Sequence, residues 1–310
     1  MTLTRKHALF LTINALLLMS SGHSLPAFSA STDNTSSGIT DGDIASIKGE
    51  VGIAVVDQSR HRIYFLNQDK PFPMQSVCKF PLSIAILKLA DQGKLSIQDK
   101  ITVRLTDVVP YHSPIKDAIK GKQSDFTIRD LMTRAVCTSD NTACDVLIAR
   151  AGGTKSVTAL IQKAGASKIR IDRAEGQIQP DSVEIAKYLI DPRDTATPEG
   201  IVDALQKLYE GKLLSKASTT VLLEDLFNCE TGQARLKAGL PAGWKLGHKT
   251  GTGRDVGEQN TATNDVGIAV GPHGETIYIA VFTKGSKAKI EIREALMAKV
   301  AAKAVAGELF

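Results

Sequence analysis

The order of apolar and polar positions places strand-like segments at both ends of the folded part of the chain. Residues 49–58 (GEVGIAVVDQ) and 61–67 (HRIYFLN) are β-rich runs separated by a short polar turn, which predicts an antiparallel hairpin. Three more apolar runs follow late in the chain, at GWKLGHKTG (243–251), TNDVGIAVG (263–271) and TIYIAVFTKG (276–285). An Ala- and Lys-rich segment, 286–306, then predicts a terminal helix.

The region between these two groups of strands has helical periodicity instead. In residues 82–93, LSIAILKLADQG, four apolar side chains recur at helical spacing and predict one buried face: Leu82, Ala85, Ile86 and Leu89. Thr127 and Asp130 have the spacing of a capping box at the start of another helix. Three glycines that end helical segments are expected to be C-terminal caps: Gly93, Gly152 and Gly165.

This order of elements predicts an α/β lobe combined with an all-α lobe. We expect an antiparallel sheet flanked by helices, built from residues 42–70 and 227–310. An all-helical lobe, residues 71–226, is expected to be inserted between them. The cleft between the two lobes is the expected place for a functional site.

The first residues have the pattern of a cleaved secretory signal. Arg5 and Lys6 precede the apolar stretch 8–19, and small residues follow it. We expect residues 1–29 to be a signal peptide and residues 30–41, which are small and polar, to be a flexible lead-in. The protein is therefore expected to be periplasmic or secreted, with no segment apolar enough to anchor it in a membrane.

Charge and composition argue against several classes of partner. Removing residues 1–29 takes away Arg5, Lys6 and no acid, so the formal charge falls from +5 to +3. Basic residues are scattered and aromatic residues make up only 5%, so nucleic-acid binding is not expected. The four cysteines show no Cys-x-x-Cys spacing and the histidines are scattered, so we expect no metal and no other cofactor. We expect Cys78 to be a buried free thiol.

Candidate chemistry begins at PMQSVCKF, residues 73–80, where Ser76 precedes Lys79 by three positions at the head of an apolar run. In a helix the two side chains would share a face, and Pro81 fits only if the helix has just begun. The Ser-x-x-Lys spacing also occurs at Ser113 and at Ser286, where nothing nearby suggests chemistry. The pair therefore needs support from the rest of the chain.

Three further segments supply that support when they are taken in chain order. CTSDNTAC contains the run from Ser139 to Asn141, DRAEGQ contains Arg173 and Glu175, and GHKTGTG contains the run from Lys249 to Thr252. Each segment alone is ordinary, but the ordered set resembles the motifs of serine β-lactamases and penicillin-binding proteins. The loop glutamate makes the chain similar to class A β-lactamases from about residue 45 to the end.

The resemblance implies a catalytic role for four residues. Ser76 would attack the β-lactam carbonyl and form an acyl-enzyme, and Glu175 would activate the water that hydrolyses it. Lys79 would take the proton of Ser76 if Lys249 and burial lower its pKa, although Glu175 acting through water is the alternative base. Ser139 would pass a proton to the departing nitrogen. The backbone N–H groups of Ser76 and Thr252 would form the oxyanion hole.

The resemblance also implies a set of substrate-binding residues. Lys249, Thr250 and Thr252 would hold the substrate carboxylate. Asn141 would bind the acylamide side chain, or would cap a helix. Gln179 stands where class A enzymes usually have an asparagine that helps to hold the water, so water placement is an open question.

Several departures from the common pattern resemble the extended-spectrum branch of class A. Asp145 and His248 are two of them, and several extra residues between Glu175 and Asp194 predict an enlarged omega loop, about residues 173–195. We expect Arg173 and Asp194 to form the ion pair at the neck of that loop. A larger loop favours cephalosporins, because it admits larger side chains.

Three residues near the motifs have more than one interpretation. Arg254 is near the motif in sequence but is typical of a solvated loop, and Tyr111 and His112 fit either a cleft wall or a packed turn.

A penicillin-binding D-alanyl-D-alanine peptidase would share most of the motifs, but Glu175 argues against it. A β-lactam sensor would normally be tethered to a membrane. We expect a monomer that acts on small β-lactam molecules.

Overall fold

The computed structural model describes residues 38–178 and 184–309. The predicted signal peptide, residues 1–29, and most of the predicted lead-in, residues 30–41, lie outside the described residues. Helix α1 already begins at Asp41, where Thr40 caps it in a reciprocal capping box with Asp43. No helix in the described ranges is long and apolar enough to cross a bilayer.

The strands and helices follow the predicted order. The strands are β1 (Glu50–Asp57), β2 (Arg62–Leu66), β3 (Phe72–Pro73), β4 (Lys100–Arg104), β5 (Gln123–Thr127), β6 (Thr195–Ala196), β7 (Lys245–Thr252), β8 (Asp255–Val256), β9 (Gln259–Asn260), β10 (Thr263–Val270) and β11 (Thr276–Lys284). The helices after α1 are α2 (Lys79–Asp91), α3 (Ile128–Cys137), α4 (Asn141–Arg150), α5 (Thr154–Lys163), α6 (Glu175–Ile178), α7 (Ile185–Ile190), α8 (Pro198–Tyr209), α9 (Lys216–Phe227) and α10 (Ile290–Ala306).

The five predicted strands form one antiparallel sheet in the order β2-β1-β11-β10-β7. Alternate residues of β1 face opposite sides, as the period of a strand requires. Ile53 and Val55 belong to the core shared with α10, whereas Ala54 and Val56 belong to the core shared with the inserted lobe. The sheet is therefore covered on both faces, and both ends of the chain build it.

Helix α2 is the centre of the inserted lobe. Leu82, Ala85 and Ile86 are buried as predicted, and burial extends beyond their face to every residue from Lys79 to Leu87. A helix that is apolar on all sides belongs in the interior of a large lobe, where other elements surround it. The predicted capping box at Thr127 and the glycines after α2, α4 and α5 are confirmed.

The inserted lobe is not purely helical, which corrects the prediction for residues 71–226. Strands β4 and β5 pair as an antiparallel hairpin, and β3 pairs with β6. The polar sequence of β5, QSDFT, resembles a loop because only Phe126 is buried in it. The short β3 and β6 pair ties the approach to α2 to the segment that closes the omega loop.

Two contacts fix the start of α2 against the sheet. The buried side chain of Asn264, on β10, donates to the carbonyl oxygens of Pro73 (2.8 Å) and Met74 (3.1 Å). Gly251, on β7, lies so close to Met74 O that any side-chain carbon at that position would collide with it. The edge strand β7 and the turn that carries Ser76 are thereby held together at the join of the two lobes.

Candidate active site

Ser76 lies in a 3-10 turn, Gln75–Cys78, that leads directly into α2. The helix was predicted to start near Val77, and the α-helical part begins two residues later, at Lys79. Pro81 falls in the first helical turn, where its missing N–H costs little. Ser76 is half-buried, so its hydroxyl faces the interior of the site while it stays accessible from solvent.

The Lys79 ammonium group is completely buried and has a full set of acceptors. Its Nζ donates to Ser76 Oγ (2.7 Å), to Asn141 Oδ1 (2.6 Å) and to the backbone oxygen of Ser139 (2.8 Å). Glu175 Oε1 lies 3.1 Å from the same nitrogen. The structure thus brings together four residues from three distant parts of the sequence around one lysine.

Lys79 was expected to act as a base only if its pKa were lowered, and the structure does not meet this condition. Burial is the largest single influence and lowers the pKa of Lys79, but Glu175 together with the neighbouring Cys144 and Cys78 raises that pKa above its ordinary value. Lys79 is therefore a charged ammonium at neutral pH. The lysine of the site whose pKa is lowered is Lys249.

Glu175 opens the short helix α6, and its own position is fixed by Asp145. The N–H groups of Glu175 (2.6 Å) and Gly176 (3.1 Å) donate to the two carboxylate oxygens of Asp145, on α4. Glu175 Oε1 accepts from Ser76 Oγ at 3.3 Å. Burial is the main reason that the pKa of Asp145 is raised. The unusual aspartate thus serves as a cap for the segment that carries Glu175.

The neck of the omega loop is closed as expected. Asp194 accepts from the N–H groups of Asp172 (2.7 Å) and Arg173 (2.8 Å), and it pairs with the Arg173 guanidinium. A second attachment joins Tyr188, on α7, to Gln75, whose side chain donates to the Tyr188 hydroxyl at 2.5 Å. Gln179 lies outside the described residues, so its predicted role in holding water stays a prediction.

Lys249 approaches Ser139 from the opposite side to Lys79. Its buried Nζ donates to Ser139 Oγ (3.0 Å) and to the backbone oxygen of Thr250 (3.2 Å). Burial is the main cause that lowers the pKa of Lys249 to about 8, and the positive charge of Lys79 adds to it. Ser139 has a left-handed backbone, with φ +62, and its hydroxyl lies between the two lysines.

His248 forms a buried ion pair with Asp265 beside Lys249. Its Nδ1 lies 2.9 Å from Asp265 Oδ1, and both side chains are buried. Burial is the largest single influence and lowers the pKa of His248, but Asp265 and Cys229 together raise that pKa to about 10. His248 is therefore an imidazolium at neutral pH, paired with Asp265 on the neighbouring strand β10.

The outer end of β7 carries a further cation. The guanidinium of Arg235, just before the 3-10 turn Leu236–Gly239, donates to Thr252 Oγ1 at 2.7 Å. It also donates to the backbone oxygens of Gly251 (3.3 Å) and Asn264 (2.8 Å). Arg235 also forms an ion pair with Glu294 at 3.1 Å. Thr252 is exposed, so the hydroxyl that Arg235 holds can be reached by a ligand.

Comparison with known proteins identifies the family. A family model described as the β-lactamase enzyme family matches residues 38–307. The chain belongs to this β-lactamase family. It is 33% identical over 289 residues to β-lactamase VEB-1 of Pseudomonas aeruginosa, covering 92% of this chain and 94% of that protein.

Two further relatives place this β-lactamase within the family. It is 33% identical over 263 residues to the extended-spectrum β-lactamase PER-1 of Pseudomonas aeruginosa, covering 84% of this chain and 83% of that protein. The solved structure of an ancestral class A β-lactamase is similar, with a TM-score of 0.76, 34% identity and coverage of 86% and 96%. The predicted fold and the resemblance to extended-spectrum class A enzymes are confirmed.

The other residues singled out in the sequence have definite places in the β-lactamase. Asn141 does not cap α4, because the side chain of Asp140 does so by accepting from Ala143 N at 2.8 Å. Arg254 is not simply solvated, because it donates to the Tyr111 hydroxyl at 3.2 Å across the two lobes. His112 is held in its turn, where its ring contacts the backbone oxygen of Thr138 at 2.7 Å.

Sequence reasoning missed two residues of the β-lactamase site. Arg235 is separated from Thr252 by 17 positions, and only the observed contact links them. Cys144, on α4, lies beside Cys78 and Glu175. The cysteine spacing gave no signal for this contact, because the two thiols come from different helical segments. All four cysteines are buried and free, as expected for Cys78.

The two active-site lysines are predicted to titrate in different pH ranges. Lys249 should lose its proton with a midpoint near pH 8, whereas Lys79 should stay charged over the same range because Glu175 stabilises its ammonium form. Carbon NMR of the lysine Cε groups measures both, with Lys249→Arg and Lys79→Arg used to assign the two signals. A midpoint near pH 8 for Lys79 would contradict the assigned charges.

Proposed function

We propose that this β-lactamase hydrolyses penicillins and cephalosporins through an acyl-enzyme on Ser76, with Glu175 as the base that completes turnover. The observation that carries the proposal is the position of the Ser76 hydroxyl, which accepts from Lys79 Nζ at 2.7 Å and donates to Glu175 Oε1 at 3.3 Å. A nucleophile, a cation and a carboxylate thus converge on one oxygen.

The charges of the site favour Glu175 over Lys79 as the acylation base. Lys79 is an ammonium and has no lone pair with which to accept a proton, whereas Glu175 already accepts the hydrogen bond of Ser76. The proton of Ser76 passes to Glu175, directly or through one water. The Ser76 oxygen bonds to the lactam carbonyl carbon, and the backbone N–H groups of Ser76 and Thr252 stabilise the oxyanion.

Ser139 is the proposed donor to the departing nitrogen. Its hydroxyl accepts from Lys249 at 3.0 Å and lies 3.4 Å from Lys79 Nζ, so it can give up its proton and be reprotonated by a lysine. The C–N bond of the ring breaks as the nitrogen takes this proton. The product is an ester of Ser76 with the ring opened.

Deacylation separates this protein from its alternatives. After acylation Glu175 returns the proton taken from Ser76 to Lys79, which has reprotonated Ser139, so that the carboxylate is restored. Glu175 then accepts a proton from a water that attacks the ester and passes it to Ser76, which leaves as its hydroxyl. A penicillin-binding peptidase or a β-lactam sensor would stop at the acyl-enzyme. The two backbone N–H groups that donate to Asp145 and the closed neck at Asp194 support the hydrolase, because they hold the Glu175 carboxylate against Ser76.

The substrate carboxylate is proposed to bind at the outer end of β7. Thr252 and Thr250 supply hydroxyl groups there, and Lys249 supplies charge below pH 8. Arg235 supports this position from behind, because its guanidinium donates to the Thr252 hydroxyl at 2.7 Å. Asn141, whose amide oxygen is occupied by Lys79, retains its NH₂ group for the acylamide of the substrate.

The wider setting of the enzyme is also a proposal. A preference for cephalosporins is supported by the similarity to the extended-spectrum enzyme PER-1. The basic and apolar start of the sequence supports export to the periplasm or the medium. We propose that the enzyme acts as a monomer, because one chain supplies every residue of the site.

Glu175→Gln should trap the acyl-enzyme. Loss of the carboxylate removes the base for water attack, and steady-state hydrolysis should fall by about 10²–10⁴-fold. The same change removes the charge that raises the pKa of Lys79, so Lys79 can then accept the proton of Ser76 and acylation continues. Intact mass spectrometry during turnover should show one stoichiometric adduct.

Two variants control this experiment. Glu184→Gln changes an exposed glutamate on the same loop and should leave turnover unchanged. Ser76→Ala should show no adduct in either background, because the acylated oxygen is missing. Unchanged hydrolysis by Glu175→Gln, or labelling that persists in Ser76→Ala, would contradict the assigned roles.

Arg235→Ala should weaken the binding of substrates that carry a carboxylate. Loss of a charged hydrogen bond of about 1.5–3 kcal/mol corresponds to a rise in KM of roughly 10–150-fold. Arg235→Lys should recover part of the lost substrate affinity, since it restores the positive charge. The control is a carboxyl ester of the same cephalosporin, whose KM should hardly change. An equal loss for acid and ester would assign Arg235 a purely structural role.

A further inference from the structure

Two thiols that the proposed reaction does not use lie directly against its carboxylate. The Sγ atoms of Cys78 and Cys144 and one carboxylate oxygen of Glu175 all lie within 4.8 Å of one another. All three side chains are buried, and neither thiol forms a disulfide. Two sulfur ligands and one oxygen ligand therefore converge in the floor of the active site.

The separation between Cys78 and Glu175 fits a tetrahedral metal ion. In zinc sites the metal–sulfur distance is about 2.3 Å and the metal–oxygen distance about 2.0–2.2 Å, so a tetrahedral angle separates the two ligand atoms by roughly 3.5 Å. Cys78 Sγ and Glu175 Oε1 are 3.6 Å apart. The two ligand atoms are thus at the required separation without movement of the backbone.

We propose that Cys78, Cys144 and Glu175 form an inhibitory binding site for Zn²⁺ or a similar thiophilic divalent cation. Binding would use the Glu175 oxygen that also contacts Ser76 and Lys79, so the metal and the reaction compete for one group. The metal-binding part is independent of the proposed function. The inhibitory part rests on the proposed role of Glu175.

Charge balance makes occupancy by a divalent cation feasible in this buried place. With both thiols protonated, the Lys79 ammonium and the Glu175 carboxylate balance each other. When a divalent cation enters and both thiols release their protons, two positive charges are added and two negative charges are created. The net charge of the buried cluster is unchanged, which avoids the large cost of an uncompensated ion.

The cluster adjoins a residue that solvent reaches. Ser76 is half-buried, and its hydroxyl lies 3.3 Å from Glu175 Oε1. A water or the Ser76 hydroxyl can complete the coordination. Three protein ligands with one open position is a common arrangement for bound zinc.

Cadmium provides the direct test of thiolate ligation. The purified enzyme, kept reduced with a phosphine that excludes a disulfide, is titrated with Cd²⁺ alone, and the thiolate-to-metal charge-transfer absorbance is recorded in the ultraviolet. Equilibrium dialysis with Zn²⁺ gives the stoichiometry and affinity.

The variants are Cys144→Ser, with Cys144→Ala as a second choice if the serine variant does not fold, and Cys137→Ser as the matched control. Cys137 is also a buried free thiol, but it contacts Asp225 rather than Glu175.

The wild type and Cys137→Ser should bind one equivalent and show the absorbance band. Cys144→Ser should bind at least about tenfold more weakly and lose most of the band. Cephalosporin hydrolysis should be inhibited by Zn²⁺ in the wild type and should be insensitive to it in Cys144→Ser. No stoichiometric binding, or a band that persists in Cys144→Ser, would overturn the metal site. Binding without inhibition would support the metal site and overturn the role of Glu175 instead.

Discussion

The buried ion pair between Lys79 and Glu175 is the interaction on which the rest of the site depends. Two charges removed from water are costly unless the remaining donors and acceptors are satisfied. Here they are satisfied by Ser76, by Asn141 and by the backbone oxygen of Ser139. Glu175 contributes to keeping Lys79 charged, and its carboxylate accepts the hydrogen bond of Ser76, which is the arrangement on which the proposed chemistry rests.

Much of the surrounding fold serves to hold this pair in place. Lys79 stands in the first turn of a helix buried on every side, and that helix start is attached to the sheet through Asn264. Glu175 is held in turn by Asp145, and the loop that carries it is closed at Asp194. Polar side chains that bind backbone groups therefore fix the geometry at the join of the lobes, where apolar packing alone cannot direct a carboxylate.

The sequence predicted the parts of this structure that follow from local pattern. Strands with alternating apolar residues, the capping box at Thr127 and the four motif segments each carry a periodic or spaced signal. The condition set for Lys79 as a base, a lowered pKa, is not met, because burial and the neighbouring acidic groups act in opposite directions and their balance depends on contacts such as the 3.1 Å approach of Glu175. Arg235 and Cys144 could not be found, because their partners are distant in sequence and neither belongs to a motif.

The central claim is that the acyl-enzyme is an intermediate in turnover and not its end point. The most direct measurement mixes the purified wild-type enzyme with a chromogenic cephalosporin and follows hydrolysis and intact mass over the same minutes. Sustained hydrolysis of many equivalents, with little adduct at steady state, is the predicted result, because Glu175 lies against the acylated serine. One stoichiometric adduct with negligible further hydrolysis would contradict the account and would indicate a penicillin-binding or sensing protein.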